Sequence, residues 1–291
     1  MIKRILRHHP NSTEGLKPVD RDGVRHVMGL SGGKDSAALS IYLRDQFPTM
    51  EYFFCDTGAE LPETYEYLDR LEGRLGKRIA RLNSGKDFDH WLAVYRGALP
   101  SPQMRWCTRR MKIEPMEDWL GDSPAVSYVA IRADEPTRQG YVSTKPNITT
   151  RYPFRDDGID KEGVMRILAD AGVGLPEYYS WRTRSGCYFC FFQRKADWVG
   201  LAEKHPDLFE RAVAYEEKDA WQETAMQGRT YTWSQGETLR ALVERKDDVM
   251  QRHADAMVNA RAKRKNLPLI DVLTDALDDD DDTTPCVVCN T

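Results

Sequence analysis

The chain has 291 residues, of which 41% are hydrophobic and 30% are charged. This length and composition suffice for one large domain, or for one domain with a helical appendage. No apolar run approaches the length of a membrane span, and the basic N-terminal stretch lacks the apolar core of a signal peptide. The sequence therefore predicts a cytoplasmic protein without a membrane partner.

Charge is distributed unevenly along the chain. Residues 271–291 contain seven aspartates and no lysine, arginine or glutamate; since the whole chain carries −4, the first 270 residues carry +3. Tight, autonomous binding of nucleic acid usually needs a stronger basic excess. The composition leaves open contact with a polyanion that is aided by a partner protein.

Strands and helices alternate in the first half of the chain. Apolar runs predict strands at 24–30, 51–58, 77–84 and 127–135, and helices at 36–47, 61–76, 87–95 and 108–120. This alternation predicts an α/β fold with a doubly wound, mostly parallel sheet. Ligands bind such sheets at the carboxyl ends of the strands, where this sequence has SGGKDS, DTGAE and RADEPTR.

The pattern changes after residue 150. The stretch 149–158 reads as a loop, 161–172 as a helix, and 196–265 as helical with little strand signal. We predict an N-terminal extension (1–21), a nucleotide-binding α/β domain (22–150), a cysteine-bearing segment that completes the site (151–200), a helical C-terminal region (201–270) and an acidic, disordered tail (271–291).

The stretch HVMGLSGGKDSAALSIYL (26–43) is a candidate phosphate cradle. It is not an ATPase P-loop, because Lys34 is followed by Asp35 and Met28 stands where that motif needs glycine. Glycines let the backbone approach a phosphate, and amides at a helix N-terminus would point at it. Lys34 would add a charge, and Ser31 and Ser36 would add hydroxyl donors. The alternative is a plain glycine turn between a strand and a helix.

This loop resembles the PP-loop of the ATP pyrophosphatases, which adenylate an acceptor and release pyrophosphate. DTGAELPETYEYL, RWCTRRMKIEPMEDWL and IRADEPTR resemble successive segments of the phosphoadenosine phosphosulfate (PAPS) reductase family, and YPFRDDGIDKEGVMRILADAGVGLPEYY resembles the segment before that family's final cysteines. The resemblance covers about residues 22–200. It implies an adenine nucleotide α-hydrolase-like fold that binds ATP and Mg²⁺.

The resemblance also implies roles for matching residues. Charge stabilisation as pyrophosphate leaves would be the main catalytic task. Asp35 would orient magnesium or the loop itself, and Arg138 would face phosphate or a second substrate. The implied catalytic residues are Lys34, Asp35 and Arg132, and the implied ATP-binding residues are Ser31, Gly32, Gly33, Lys34, Asp35, Ser36, Asp56, Thr57 and Arg138.

Six cysteines are present, and two of them, Cys187 and Cys190, form a C-x-x-C motif. Alone, this motif is compatible with half of a zinc site, a redox pair or coincidence. The resemblance implies that Cys107 joins them to hold a [4Fe-4S] cluster with one iron open to a sulfur species. Cys55 reads as a small buried residue. A second C-x-x-C, Cys286 and Cys289 in the acidic tail, could carry a persulfide, supply a ligand or do nothing.

Two departures weaken the reading as a reductase. The tail reads PCVVCNT in place of an E-C-G-[IL]-H segment, and Trp106-Cys107 stands where adenylylsulfate reductases carry a cysteine pair. The pattern is closer to the sulfurtransferases of DNA phosphorothioation (the Dnd and Ssp systems). That resemblance implies a nucleic-acid acceptor, DNA in preference to tRNA, with a cysteine desulfurase or another sulfur donor and modification-complex proteins as partners. The alternatives are a reductase of activated sulfate, a tRNA-thiolating enzyme and a non-catalytic nucleotide-binding or zinc-stabilised protein.

Overall fold

The structure is a computed structural model that describes residues 23–138, 140, 143, 145–217, 231–234 and 236–263, with the side chains of 259–263 excluded. The predicted N-terminal extension, the acidic tail and its two cysteines lie outside the described residues. Within the described ranges, the chain forms two compact units. The first comprises residues 23–86 and 108–178, and the second comprises residues 87–107 and 179–263.

The first unit is built on a parallel sheet with the strand order β3-β2-β1-β4-β5. The described strands are β1 (Arg25–Gly29), β2 (Glu51–Cys55), β3 (Ile79–Leu82), β4 (Ala125–Tyr128) and β5 (Ile148–Arg151). The chain moves outward from β1 to β3 and then returns to β4 on the other side of β1. This order confirms the predicted doubly wound parallel sheet, and it places a topological switch point between β1 and β4.

The prediction of a loop at 149–158 was wrong for most of that stretch, because β5 pairs with β4 and residues Pro153–Asp156 form a short helix. Ala125 lies opposite Ile148 in the ladder, and Val129 N donates to Arg151 O at 2.9 Å. Of the four residues of β5, only Ile148 is buried. An edge strand this short lacks the alternation by which sequence patterns reveal strands.

The described helices flank the sheet and form most of the second unit. They are α1 (Lys34–Leu43), α2 (Pro62–Leu75), α3 (Phe88–Val94), α4 (Trp106–Thr108), α5 (Glu114–Leu120), α6 (Pro153–Asp156), α7 (Lys161–Asp170), α8 (Lys195–Lys204), α9 (Pro206–Glu217), α10 (Leu239–Glu244) and α11 (Lys246–Lys263). None of the helices in the described ranges is both long enough and apolar enough to span a membrane.

Two helix boundaries follow directly from the sequence. Helix α2 has Pro62 in its first turn and ends at Gly76, which has φ +64° and donates its N–H to Glu72 O. The helix predicted at 108–120 is interrupted just before Pro115 by a π-helical turn over Arg109–Ile113. Proline lacks an N–H and its ring crowds the carbonyl four residues earlier, so a wider turn at this point relieves the clash.

The core of the first unit covers both faces of the sheet. Val27 and Met28 are consecutive in β1, are both fully buried, and belong to different apolar clusters. Side chains of consecutive strand residues point to opposite faces, so each cluster fills one face. One cluster includes residues of α1, α2 and α7, and the other includes residues of α5.

The second unit holds an aromatic cluster among its helices. Phe189 stacks on Trp233 with ring centroids 5.4 Å apart, and Phe88 lies 4.2 Å from Phe189 and 5.1 Å from Tyr215. The described part of 196–265 is mainly helical, as the sequence predicts, with one isolated bridge between Ser234 and Glu237. These aromatic contacts place the C-x-x-C loop in the core of this unit.

Candidate functional site

The glycine loop between β1 and α1 has a backbone that requires glycine. Gly32 has φ +71°, and a Cβ added there would lie 2.5 Å from Thr64 Cγ2. The carbonyl of Gly32 accepts a hydrogen bond of 2.7 Å from the buried Tyr178 hydroxyl. The turn is therefore fixed from two sides, by close packing against α2 and by a hydroxyl from 146 residues further along the chain.

Two serines hold the loop in shape from within. Ser36 Oγ donates to Gly33 O at 3.2 Å, and it accepts from Ser31 N at 3.1 Å. The Ser31 hydroxyl accepts from Gly33 N at 3.3 Å and lies 3.1 Å from Ser36 Oγ. Gly33 is the N-cap of α1, so the N-cap residue has no side chain with which to cap this helix. Backbone donors at such a helix start are suited to phosphate oxygens.

Asp35 holds two cations at the end of β1. Its Oδ2 lies 2.9 Å from Lys34 Nζ, its Oδ1 lies 3.1 Å from Arg132 Nη1, and only 7% of the residue is exposed. Burial alone would raise the pKa of Asp35, but the charges and hydrogen bonds of Lys34 and Arg132 outweigh it and lower that pKa. The carboxylate thus stays ionised and keeps both cations at the switch point between β1 and β4.

The loop after β4 orders its arginines through its own carboxylates. Arg132 Nε donates to Asp134 Oδ1 at 2.8 Å, and Arg138 Nη1 donates to Glu135 Oε1 at 2.7 Å. Arg155 Nη2 also donates to Arg138 O at 2.6 Å. The loop therefore places Arg132 on the glycine loop and fixes Arg138 six residues later.

The loop after β2 has a buried carboxylate, Glu60, that we did not assign from the sequence. Its oxygens accept hydrogen bonds from Thr57 Oγ1 at 2.7 Å, Thr57 N at 3.2 Å and Ala59 N at 3.2 Å. Burial raises the pKa of Glu60, although the Lys112 charge and Thr57 act against this. Asp56 Oδ1 accepts from Tyr65 OH at 2.8 Å. Glu60 stands alone among the apolar residues that follow DTG, and this isolated glutamate is the sequence signal that could have identified a structural carboxylate.

The C-x-x-C motif forms a tight turn in the second unit. Cys190 N donates to Cys187 O at 3.1 Å, and Gly186, with φ +143°, precedes the turn. Arg182 is 2% exposed and donates to Gly186 O at 3.0 Å and to Cys187 O at 2.8 Å. Cys190 is buried and Cys187 is half-buried. The buried guanidinium of Arg182 therefore fixes the backbone that carries both thiols.

The segment that carries Cys107 packs against this cysteine loop. The Arg105 guanidinium lies 5.3 Å from the Phe192 ring centroid, and Phe88 contacts both Trp106 at 5.0 Å and Phe189 at 4.2 Å. Across the described residues, however, no three His, Cys, Asp or Glu side chains form a group that could hold a metal ion. Cysteine thiolates are the usual ligands of iron–sulfur clusters. The described side chains, however, are not placed so that three of them could hold one.

A family comparison covers most of the first unit and also residues 87–107 of the second. Residues 25–153 match the family model described as phosphoadenosine phosphosulfate reductase domain. The match begins at β1 and ends at the first residue of α6, so it includes all five described strands and the three loops of the site. These residues are similar to a PAPS reductase domain. The resemblance to that family is thereby confirmed, and the assignment to the DNA phosphorothioation branch stays a prediction.

The chain is similar to parts of longer proteins. Two uncharacterized proteins of Methanocaldococcus jannaschii are 24% and 32% identical over 201 and 198 residues, covering 63% and 64% of this chain and 45% and 40% of theirs. The chain thus spans less than half of these relatives. An adenosine 5′-phosphosulfate reductase of Salinibacter ruber is 26% identical over 113 residues (39% of this chain, 44% of that protein), and a tRNA-specific 2-thiouridylase of Haemophilus ducreyi is 24% identical over 136 residues (40% and 34%).

The structure brings only some of the predicted residues into contact. Ser31, Gly33 and Ser36 form one hydrogen-bonded set. Lys34, Asp35 and Arg132 form an ion-paired set beside it, which reaches Arg138 through Glu135. Asp56 and Thr57 make their hydrogen bonds within and beside their own loop. Cys107, Cys187 and Cys190 belong to the second unit.

Proposed function

We propose that this protein is an ATP pyrophosphatase-type enzyme that adenylates an acceptor, releases pyrophosphate and supports sulfur transfer in DNA phosphorothioation. The observation that carries this proposal is the pairing of Lys34 and Arg132 on the buried Asp35, beside a glycine loop at the switch point of a parallel sheet. Nucleotides bind doubly wound sheets at this position. The similarity to a PAPS reductase domain supports the same reading.

The glycine loop and Arg132 provide groups that could bind and neutralise the phosphates of ATP. Backbone amides at the start of α1 would receive phosphate oxygens, because a glycine at the N-cap brings no side chain to compete for them. Lys34 and Arg132 would neutralise the charge that develops as the bond between the α- and β-phosphates breaks. Magnesium that accompanies ATP would supply further neutralisation. Both oxygens of Asp35 are in ion pairs, which favours its second predicted role, that of orienting the loop's cations.

The sulfur-transfer part of the proposal depends on the second unit. Cys187 and Cys190 share a turn held by Arg182, and the neighbours of Cys107 pack against the same segment. A single cysteine before threonine and a later G-C-x-x-C favour the phosphorothioation branch over the sulfate reductases. Sulfur would come from a cysteine desulfurase or another donor protein, and modification-complex proteins would present the DNA.

Two other reactions have specific support. The family description and the Salinibacter ruber relative favour reduction of an adenylated sulfate, and the Haemophilus ducreyi relative favours thiolation of tRNA. The missing E-C-G-[IL]-H segment weighs against reduction. A reductase acts on a substrate that is already adenylated, so it would release sulfite and no pyrophosphate.

Pyrophosphate release from ATP, measured with the full chain and candidate acceptors (DNA and tRNA), tests the proposal. We expect release by the wild type and by Lys204→Ala, whose side chain is exposed on the second unit, and loss of release in Lys34→Ala. Equal release by Lys34→Ala would remove Lys34 from the catalytic set. Sulfite formation from adenylyl sulfate, without pyrophosphate release from ATP, would establish the reductase instead.

Iron and acid-labile sulfide, measured after anaerobic purification, separately test whether the three thiols assemble the [4Fe-4S] cluster that the sequence resemblance implies. A cluster on three thiols predicts iron in the wild type and in Cys55→Ser, and its loss in Cys107→Ser and Cys187→Ser. Iron retained by Cys107→Ser would exclude the three-cysteine site. Zinc in its place would give the cysteine turn a structural role.

A further inference from the structure

The two segments that carry the cysteines of the second unit have a charge pattern unlike the rest of the chain. Residues 95–107 and 179–195 contain six lysines and arginines and no aspartate or glutamate, in a chain whose net charge is −4. Asp197, a fully buried carboxylate just beyond the second segment, accepts hydrogen bonds from Thr183 and Arg194 N. The sequence around these thiols is therefore selectively basic.

Packing brings arginines of both segments to one aromatic ring. The guanidinium carbons of Arg105 and Arg184 lie 5.3 and 5.2 Å from the Phe192 ring centroid. Arg184 Nη1 also donates to Phe192 O at 3.1 Å. Both arginines are half-buried, where like charges repel more strongly than in bulk water. An anion that binds beside both guanidinium groups would offset this repulsion.

The backbone under these arginines is fixed, and a second ring adjoins the first. The buried Arg182 donates hydrogen bonds to the carbonyls of Gly186 and Cys187, so contacts within the protein hold the backbone of this loop. The half-buried Phe191 ring lies 4.3 Å from that of Phe192. Paired arginines next to a partly accessible aromatic ring are the features with which proteins bind single-stranded nucleic acid.

We propose that the surface formed by Arg105, Arg184, Phe191 and Phe192 binds the phosphodiester backbone of single-stranded nucleic acid beside the Cys187–Cys190 turn. This inference rests on the proposed function, because it names the surface that would hold the acceptor. The guanidinium groups would contact successive phosphates, and the Phe191 ring would stack on a base. Binding needs neither ATP nor a cluster, so it can be measured apart from catalysis.

Fluorescence anisotropy with a fluorescein-labelled DNA strand of about 20 nucleotides, longer than one typical single-strand site, tests this surface across a salt titration. The Arg105→Gln/Arg184→Gln variant should bind more weakly, and its log–log salt slope should fall by about 1.4, or about 0.7 for each lost phosphate contact. Arg105→Lys/Arg184→Lys should recover most of that slope. The matched control, Arg240→Gln/Arg252→Gln, removes two exposed, ion-paired arginines of α10 and α11 and should bind as the wild type does.

A measurement on the wild-type protein does not depend on whether the variants fold. Phenylglyoxal modifies accessible arginines, and bound DNA strand should protect Arg105 and Arg184 but leave Arg240 and Arg252 reactive. The inference is overturned if the wild type binds no strand at low salt, if the control variant loses as much affinity, or if protection does not distinguish the two pairs. If the protein binds the strand but releases no pyrophosphate, the binding surface stands and the proposed reaction is wrong. If it releases pyrophosphate but binds no strand, the proposed reaction stands and the binding surface is wrong.

Discussion

Replacement of Gly32 by alanine should destabilise the protein through two separable effects. The left-handed backbone at φ +71° costs a residue with a Cβ about 1–2 kcal/mol. The new Cβ would also lie 2.5 Å from Thr64 Cγ2, and overpacking of this kind costs about 1–3 kcal/mol. We therefore expect the free energy of unfolding to fall by about 2–5 kcal/mol, measured by equilibrium unfolding in urea.

Two further substitutions separate these effects. Gly76 has φ +64° and no atom within 4 Å of an added Cβ, so Gly76→Ala should cost only the backbone share of about 1–2 kcal/mol. Thr64→Ser removes Cγ2 and keeps the hydroxyl, so Gly32→Ala in that background should cost about as little as Gly76→Ala. The clash with Thr64 is refuted if Gly32→Ala lowers the free energy of unfolding no more than Gly76→Ala does. It is also refuted if Thr64→Ser leaves the effect of Gly32→Ala unchanged.

Three other substitutions or modifications test individual side chains. Burial raises the pKa of the Cys55 thiol to about 12, so mass spectrometry should show far slower alkylation at about pH 8 in the folded protein than in urea; equal rates would contradict this. Hydrogen bonds from Arg245 and Lys195 lower the pKa of Glu237 from 4.5 to about 2, so Glu237→Gln should lower the thermal midpoint at neutral pH. That difference should shrink as the pH falls from 4.5 towards 2, and a constant difference would rule out the ion pairs as its cause. Asp35→Asn should slow pyrophosphate release on the order of 100-fold by misplacing Lys34 and Arg132, whereas the exposed Asp45→Asn should not; equal rates would assign Asp35 to stability alone.

The fold of the first unit was largely predictable because its signals are local. Buried apolar runs locate β1, β2 and β3 to within a few residues, and proline and glycine mark the two ends of α2. The fourth strand begins earlier and ends sooner than its apolar run suggests. The stretch Val129 to Ile131 is buried but only Val129 continues the ladder, and Ile131 N turns back to Val129 O. The sequence indicates which residues are buried, but it does not indicate where strand pairing stops, and here burial extends beyond the paired residues.

The candidate site was predictable in its residue types but not in its contacts. Strand order places the loops after β1 and β4 together, but the ion pair between Asp35 and Arg132 joins residues 97 apart. The Tyr178 hydroxyl on Gly32 and the Glu60 carboxylate under Thr57 depend on packing that no local pattern encodes. Resemblance to the PAPS reductase family supplied roles for Lys34 and Arg132 that periodicity alone could not.

The nucleotide product distinguishes an ATP pyrophosphatase from an ordinary ATPase. After incubation of the full chain with ATP, magnesium, acceptor DNA or tRNA and a sulfur donor, chromatography separates AMP and adenylated acceptor from ADP. We expect cleavage between the α- and β-phosphates, with pyrophosphate equal to the sum of free AMP and adenylated acceptor in the wild type, and none of these products with Lys34→Ala. ADP and inorganic phosphate as products would contradict it, because the loop would then act as an ordinary ATPase site.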